Sequence, residues 1–548
     1  MSQTASPYDV VVIGGGPGGS TAATMLARQG LRALLLERDH FPREHVGESL
    51  LPASIPVLEE LGALPAIQQA GFLQKWGATM VWGKDPEPWS WYFKETNPKY
   101  PHSYQVSRPE FDHILLDNSR QAGVEVREGY RATRVTFEGG RAVGVRCESS
   151  TKEPLEIAAG FVVDASGQGG LLARQLGLRQ WDPFFRNLAV YGYFQGAQRL
   201  PEPDETNIFI ESYPQGWLWT IPLHTGLASV GAVVDSETGQ EGIRRLGPRG
   251  FLMDQLSQGP ATAEMLRKAE LSSGPDVVRD WSYVCKKTAG PGYVLVGDAA
   301  CFVDPLFSSG VHLALMSGVL AAALVTSSLS DPDIEEAAGQ VYQELYIQEY
   351  NQFRELARLF YSSNLSSDSY FWEARRLTGK DAAFTPRQAF IRTVAGQPPR
   401  GYERAVLEHG DAPSEFISSV GQVETDRARR QADLSAFLDP SGAMHHMFYS
   451  AVPSLAPGVT VVRKPVLGEG RFDWGNVIVT PSQPEGTPCS ALVAEVASAI
   501  DGRTPVRGLM AKLQEDRDPS SAPIIEQTVV SAVQILYVDE TISELISQ

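Results

Sequence analysis

Two short patterns in this 548-residue chain set chemically distinctive residues at regular spacing. The first is Gly14-x-Gly16-x-x-Gly19, followed 18 residues after Gly19 by Glu37. Glycines at those intervals let the main chain approach a pyrophosphate whose charge sits at a helix N-terminus. An acid that far downstream accepts from a ribose hydroxyl. The second is Trp217-Leu218-Trp219-Thr220-Ile221-Pro222. Positions i and i+2 of an extended strand share a face, so the two indoles would stand side by side. Alone, such a pair reads as core, and its meaning depends on what surrounds it.

The elements that must position these residues are also legible. Residues 10–13 form a β-branched run that reads as a buried parallel strand. The glycines open a small-residue helix ending near Gly30, and residues 31–36 read as a second strand that delivers Glu37. Far downstream, residues 293–296 read as another strand, leading into Gly297-Asp298-Ala299-Ala300, a turn at Pro305 and Ser308-Ser309-Gly310. An apolar run follows at 311–325, too short for a membrane span and interrupted by His312, Ser317 and Gly318, so a buried helix is expected. No second GxGxxG follows a strand anywhere in the chain, so this pattern provides for one dinucleotide and not a second.

Composition narrows the function. A net charge of −18 argues against nucleic acid or an anionic membrane surface as partner. Four cysteines without a CxxC pair fit a reducing cytoplasm and offer no thiolate metal site. His445-His446 lacks partners at metal-ligand spacing, and the N-terminus lacks the basic and apolar regions of a signal peptide.

The 293–318 pattern, with residues 161–167 ("FVVDASG") and Arg108 in "SRPEFDHILLDNSRQAG", resembles the FAD-binding module of aromatic-ring hydroxylases. The resemblance implies FAD held by Gly14, Gly16, Gly19, Ser20, Glu37, Arg38, Arg43, Arg108, Asp298 and Val311, with Asp298 on the ribityl chain. It implies an α/β fold: a doubly wound FAD-binding module over residues 1–330, with an inserted substrate sheet from about 75–110 and 180–285. The motif W-x-W-x-I-P at 217–222, a lysine at position 75 and the loop "DPLFSSGV" at 304–311 together resemble the flavin-dependent halogenases, in the branch of the chondrochloren and chloramphenicol enzymes. Alone, Lys75 would read as a solvated surface residue.

That resemblance implies FADH2 from a separate flavin reductase, oxygen activation as a flavin C4a-hydroperoxide, and chloride held by the Ser309 and Gly310 amides. Trp217 and Trp219 would wall the substrate from the flavin, and Lys75 would receive hypochlorous acid as a hydrogen-bonded partner or a chloramine. Free-tryptophan enzymes carry a glutamate where Phe307 stands, so an activated ring is expected, a phenol or tyrosyl group on a carrier protein in natural-product biosynthesis. Glu48 and His312 are candidate phenol bases. An FAD monooxygenase or geranylgeranyl-reductase-like enzyme, and a non-catalytic flavin scaffold, are the competing readings.

Beyond residue 330 the flavin motifs end. Residues 331–452 read as a helical extension, whose 371–404 stretch carries Arg375, Arg376, Lys380, Arg387, Arg392, Arg400 and Arg404. That excess could receive an acidic carrier protein, or be a solvated face. Residues 453–548 suggest three short helices and a small wing, a winged-helix-like module without a basic recognition helix, with a turn at Asp501-Gly502.

Overall fold

A computed structural model describes residues 8–83, 87–362, 386–396, 445–481, 483–515, 517, 518, 520, 522–538 and 541–547. Contacts divide them into two units, one of residues 8–362, 386–396 and 469–471, the other of 445–468 and 472–547.

In the first unit, the strand Tyr8–Ile13 lies between Ala33–Glu37 and Pro154–Asp164, with Glu125–Glu128 and Tyr293–Leu295 extending the sheet in parallel. Val10, Val11 and Val12 are fully buried, which is why the run is unbroken rather than alternating. The helix Pro17–Arg28 starts directly after Gly16 and packs on the helix Gly310–Ser330. Small residues allow this close crossing: a Cβ on Gly318 would lie 2.7 Å from the Gly18 carbonyl oxygen. Gly310–Ser330 has 21 residues, longer than the apolar run suggests, and is long and apolar enough to cross a membrane; here it is core.

The second sheet orders its strands Cys301–Phe302, Glu270–Cys285, Arg179–Gln195, Leu227–Asp235, Gly216–Pro222, Ile208–Tyr213, Gly77–Val81 and Trp89–Tyr92. Register assigns its two faces. Leu218, Ala232 and Val190 share one face, which packs with Phe251, Leu252 and Leu256 of the helix Ser236–Leu256 into an apolar cluster. Tyr191, Gly231, Trp219, Ile210, Met80 and Trp89 align across the other, with Trp217 and Trp91 two residues along their strands.

A single 28-residue helix, Glu335–Ser362, forms where the sequence suggests amphipathic helices. It buries Tyr342, Tyr346, Tyr350, Phe353 and Phe360, spaced three, four and seven residues apart along one stripe.

The second unit surrounds its own core, which includes Val496, Leu509, Val529, Val533 and Ile542. It holds a three-stranded antiparallel meander (Thr460–Leu467, Phe472–Thr480, Gln483–Cys489), the paired strands Ala451–Leu455 and Ile542–Ser547, and, beside the short helix His445–Ser450, the longer helices Ala491–Ala499, Val506–Gln514 and Ala522–Val538. Gly502, at φ +69°, turns the chain between the first two helices while Asp501 accepts from the Arg503 and Thr504 amides.

Candidate active site

The glycine loop is a cradle that side chains would destroy. Gly14 has φ +101°, and a Cβ on Gly19 would lie 1.9 Å from the Gly14 carbonyl oxygen. Gly16, by contrast, has only Arg43 within reach, its Nη2 at 3.3 Å from an added Cβ. Glu37 is buried and accepts from the amides of Gly15 (2.7 Å) and Asp39 (2.9 Å), which fixes the carboxylate beneath the loop. The Ser20 hydroxyl donates to the Gly15 carbonyl (2.9 Å), bracing the loop from within. Arg38 is largely exposed and pairs with its neighbour Asp39.

Arg43 faces the open side of this cradle. Its Nη1 lies 3.3 Å from Asp112 without hydrogen-bond geometry, and is buried with no hydrogen-bond partner. A buried guanidinium nitrogen in that state suits an anionic ligand such as a pyrophosphate. Arg108 grips Asp112 through Nε (2.8 Å) and Nη2 (3.0 Å), while Nη1 donates to the Val46 carbonyl (2.7 Å). It therefore ties the 46–47 loop to the helix Arg108–Gln121.

Asp298 stands in a short 3-10 turn, Gly297–Ala299. Burial pushes its carboxyl up to about 6, against the opposing pull of Arg108 and Arg179. The long helix Glu335–Ser362 positions this turn, because Tyr342 donates to the Leu295 carbonyl (2.6 Å) and Tyr346 to the Gly297 carbonyl (3.0 Å).

Trp217 and Trp219 do share a face, with ring centroids 6.0 Å apart, and both are buried. Neither ring is free to turn. Trp219 Nε1 donates to Ser229 Oγ (3.2 Å), and its six-membered ring lies over Gly231, where a Cβ would come within 2.4 Å. Trp217 Nε1 donates to the Tyr361 hydroxyl. Tyr361 in turn donates to Asp304 Oδ2 (2.7 Å), which also accepts from Asn187 Nδ2 (3.0 Å). Burial raises the Asp304 carboxyl to about 6. One buried network thus joins the tryptophan strand to the loop that opens the helix Gly310–Ser330.

In that loop Asp304 Oδ1 accepts from the Leu306 amide (3.0 Å), and Ser308 takes the left-handed conformation at φ +59°. Ser309 caps the helix without a side-chain capping bond, its hydroxyl buried and unpartnered, and an added Cβ on Gly310 meets nothing within 4 Å. The first amides of a helix have no intrahelical acceptor, and the helix dipole favours an anion there. Val311, in the first turn, is buried.

Lys75, the expected surface residue when read alone, is 2% exposed. It ends the strand Leu73–Lys75, donates to the Leu50 carbonyl (3.1 Å) and lies 5.5 Å from the Phe93 ring centroid. Burial alone lowers its pKa from 10.5 to about 7.

Phe307 is buried against Phe360 (5.1 Å between centroids) and Phe390 (6.2 Å); Phe390 also meets Trp91 at 5.1 Å. Glu48, buried and raised by desolvation, accepts from Tyr193 (2.9 Å). His312 Nε2 lies 3.2 Å from Glu349, with Nδ1 buried and unpartnered. Of the basic stretch, Arg375, Arg376, Lys380, Arg400 and Arg404 lie outside the described residues, as do the His445-His446 side chains. Arg387 keeps its side chain partly exposed while its guanidinium pairs with Glu95 (2.7 and 2.8 Å) and donates to the Ser90 carbonyl (2.8 Å).

Tyr361, Asn187 and Gly231 escape motif reading, and Asp304 lies in the 304–311 motif without its role being legible there. Gly231 alone has a local signal, an isolated glycine within a strand, which marks close approach of another group.

The glycine cradle and parallel sheet define a dinucleotide-binding module, and the model for FAD dependent oxidoreductases matches residues 9–176, which makes the chain a flavoprotein. The tryptophan halogenase model matches residues 94–398. A tryptophan 2-halogenase of Chondromyces crocatus is 37% identical over 80% of this chain and 84% of its own length. A chlorinase of 1H-pyrrole-2-carbonyl-[peptidyl-carrier protein] from Pseudomonas fluorescens is 33% identical over 67% of this chain and 86% of its own. Among solved structures, the chondrochloren halogenase CndH aligns with TM-score 0.62 and 39% identity over 71% of this chain and 96% of its own. The flavin-dependent halogenase CmlS aligns with TM-score 0.67 and 27% identity over 95% of this chain and 94% of its own. The chain belongs to the flavin-dependent halogenases, and the glycine cradle with Arg43 beside Gly16 fits FAD as its cofactor.

Proposed function

We propose that this halogenase chlorinates an electron-rich aromatic ring, a phenol such as a tyrosyl group tethered to a carrier protein, during natural-product biosynthesis. The observation that carries the reading is Lys75, a lysine buried without a carboxylate partner among the described residues, on the same unit as the paired tryptophans and the Ser309–Gly310 helix start. When bound, FAD reduced by a separate reductase supplies, with O2, the oxidising equivalent that makes chloride electrophilic.

The rest is work for the chain's own residues. Gly14, Gly16 and Gly19 admit the pyrophosphate, Glu37 meets the ribose, Arg43 neutralises the phosphates and Asp298 meets the ribityl chain. The Ser309 and Gly310 amides hold chloride. The two indoles, fixed by Ser229 and Tyr361, keep the aromatic substrate away from the flavin side. Lys75 takes up hypochlorous acid. A pKa of about 7 leaves both of its forms populated at neutral pH, so it serves either as a hydrogen-bonding ammonium or as an amine that gives a chloramine and water.

Phe307 supports an activated ring, because no carboxylate stands there to stabilise a cationic intermediate on an unactivated one. The Pseudomonas relative supports a carrier-bound substrate. The name of the Chondromyces relative favours a second reading, an indole attacked on its electron-rich pyrrole half. The test is mass spectrometry of tyrosyl- and tryptophanyl-loaded carrier protein, with the free amino acids alongside, after incubation with enzyme, FAD, flavin reductase, NADH, O2 and chloride. A chlorine mass increment on loaded tyrosyl carrier alone supports the first reading. Equal chlorination of free tyrosine removes the carrier, and chlorination of tryptophan alone removes the phenol.

A further inference from the structure

Lys75 is one of four polar residues buried on a single small surface. Leu73–Lys75 pairs antiparallel with Ser103–Gln105, with Lys75 opposite Ser103, and Ser49 bridges Gln105. The Leu50 amide donating to the Tyr104 carbonyl (3.0 Å) and the Val106 amide to the Glu48 carbonyl (2.7 Å) complete the pairing. Residues opposite one another in an antiparallel pair share a face, as do residues two apart along a strand. Lys75, Ser103, Gln105 and Ser49 therefore project from the same face.

All four are buried, none more than 5% exposed. Gln105 Nε2 donates to the Thr206 carbonyl (3.2 Å) and Lys75 to Leu50, but Ser49 Oγ, Ser103 Oγ and Gln105 Oε1 have no hydrogen-bond partner among the described residues. A buried polar atom left unpaired is costly, so three on one strand face call for a bound water or another small molecule to satisfy them.

We propose that this face is the pocket in which hypohalous acid is held against Lys75, with Ser49, Ser103 and Gln105 as its binding residues. The chemistry matches at each end. A glutamine oxygen only accepts, so Gln105 Oε1 takes the hydrogen bond of the acid's O–H. Serine hydroxyls and the lysine donate, and so hold its oxygen. The halogen is the one end left without a hydrogen-bonding partner, and it is thereby aimed. This rests on the halogenase reading of Lys75 and adds the residues that orient the oxidant there.

The experiment uses the full chain with FAD, reductase, NADH, O2 and chloride, no aromatic substrate, and taurine as trap for escaping hypochlorous acid. Ser103→Ala and Gln105→Met are compared with wild type and Lys75→Ala for taurine chloramine formed per flavin oxidised, and for thermal midpoint. Both variants should release trapped chlorine about tenfold faster than wild type, the equivalent of one net hydrogen bond of ~1.4 kcal/mol. Ser103→Ala should melt at or above the wild-type temperature, because it removes an unpaired hydroxyl.

Wild-type release rates in both variants overturn the pocket, and so does a Ser103→Ala midpoint several degrees below wild type, since the hydroxyl would then be a satisfied structural group. If Lys75→Ala releases chlorine rapidly while the two variants behave as wild type, only the pocket fails. If no sample yields trapped chlorine, even after denaturation, the chemistry assigned to Lys75 fails with it.

Discussion

Replacing Lys75 with methionine, a side chain of similar volume, should make the protein more stable at neutral pH while removing halogen transfer. Burial lowers the lysine pKa from 10.5 to about 7. At ~1.36 kcal/mol per unit, that is about 5 kcal/mol of penalty on the folded charged form. The hydrogen bond to the Leu50 carbonyl returns ~1 kcal/mol, leaving about 4 kcal/mol for methionine to recover. The pH dependence follows from the same shift. Below about 7 the lysine is protonated both folded and unfolded, and the wild type bears the whole penalty. Between 7 and 10.5 the unfolded chain holds a proton that the folded chain has released, so wild-type stability rises with pH. The advantage of Lys75→Met should therefore be largest at pH 6 to 7 and shrink by ~1.4 kcal/mol per unit above that. Thermal midpoints of the two proteins at pH 6, 7, 8 and 9 measure the gap. A variant that melts lower than wild type at pH 6, or a gap unchanged between pH 6 and 9, would refute the idea that this lysine is a buried amine whose charge burial penalises.

Gly19→Ala puts a methyl 1.9 Å from the Gly14 carbonyl oxygen and should weaken FAD binding about 100-fold, near 3 kcal/mol, by fluorescence titration. Gly231→Ala drives a Cβ to 2.4 Å from the Trp219 ring, an overpacking cost of ~1–3 kcal/mol. The displaced indole should appear as less chlorinated product, and more hydrogen peroxide, per flavin oxidised. Tyr361→Phe removes the hydroxyl joining Trp217 to Asp304 and should lower stability by ~1–3 kcal/mol in thermal melts and reduce product per flavin oxidised. With FAD added but no reductase, the enzyme should not oxidise NADH rapidly; fast loss of the NADH absorbance would show a nicotinamide site of its own.

What was legible in the sequence was local. The strand, glycines and helix around residue 16 read correctly because glycine spacing and a β-branched run are short-range patterns, and Trp217 and Trp219 fell on one face by the two-residue period alone. What was not legible depends on which strand lies beside which. Gly231 is glycine because Trp219 is its neighbour across the sheet, a pairing that no window of sequence contains. The burial of Lys75 follows from its pairing with Ser103, 28 residues away, whereas its own surroundings in the chain suit a surface lysine. The partner of Arg387 is of the same kind: Glu95 lies 292 residues off, and nothing in a run of cations points to it.

The helix Glu335–Ser362 carries none of the flavin motifs, yet its tyrosines 342, 346 and 361 hold the main chain at Leu295 and Gly297 and the Asp304 side chain. A helix keeps its residues at fixed rise and angle, so it works as a template that sets those three points relative to one another. Parts of such an enzyme are therefore not interchangeable at the place where the motifs stop. A recombinant that joins one halogenase's flavin motifs to another's downstream sequence inherits a foreign template if the crossover falls near residue 330. Placed after Ser362, the same crossover leaves template and loop matched.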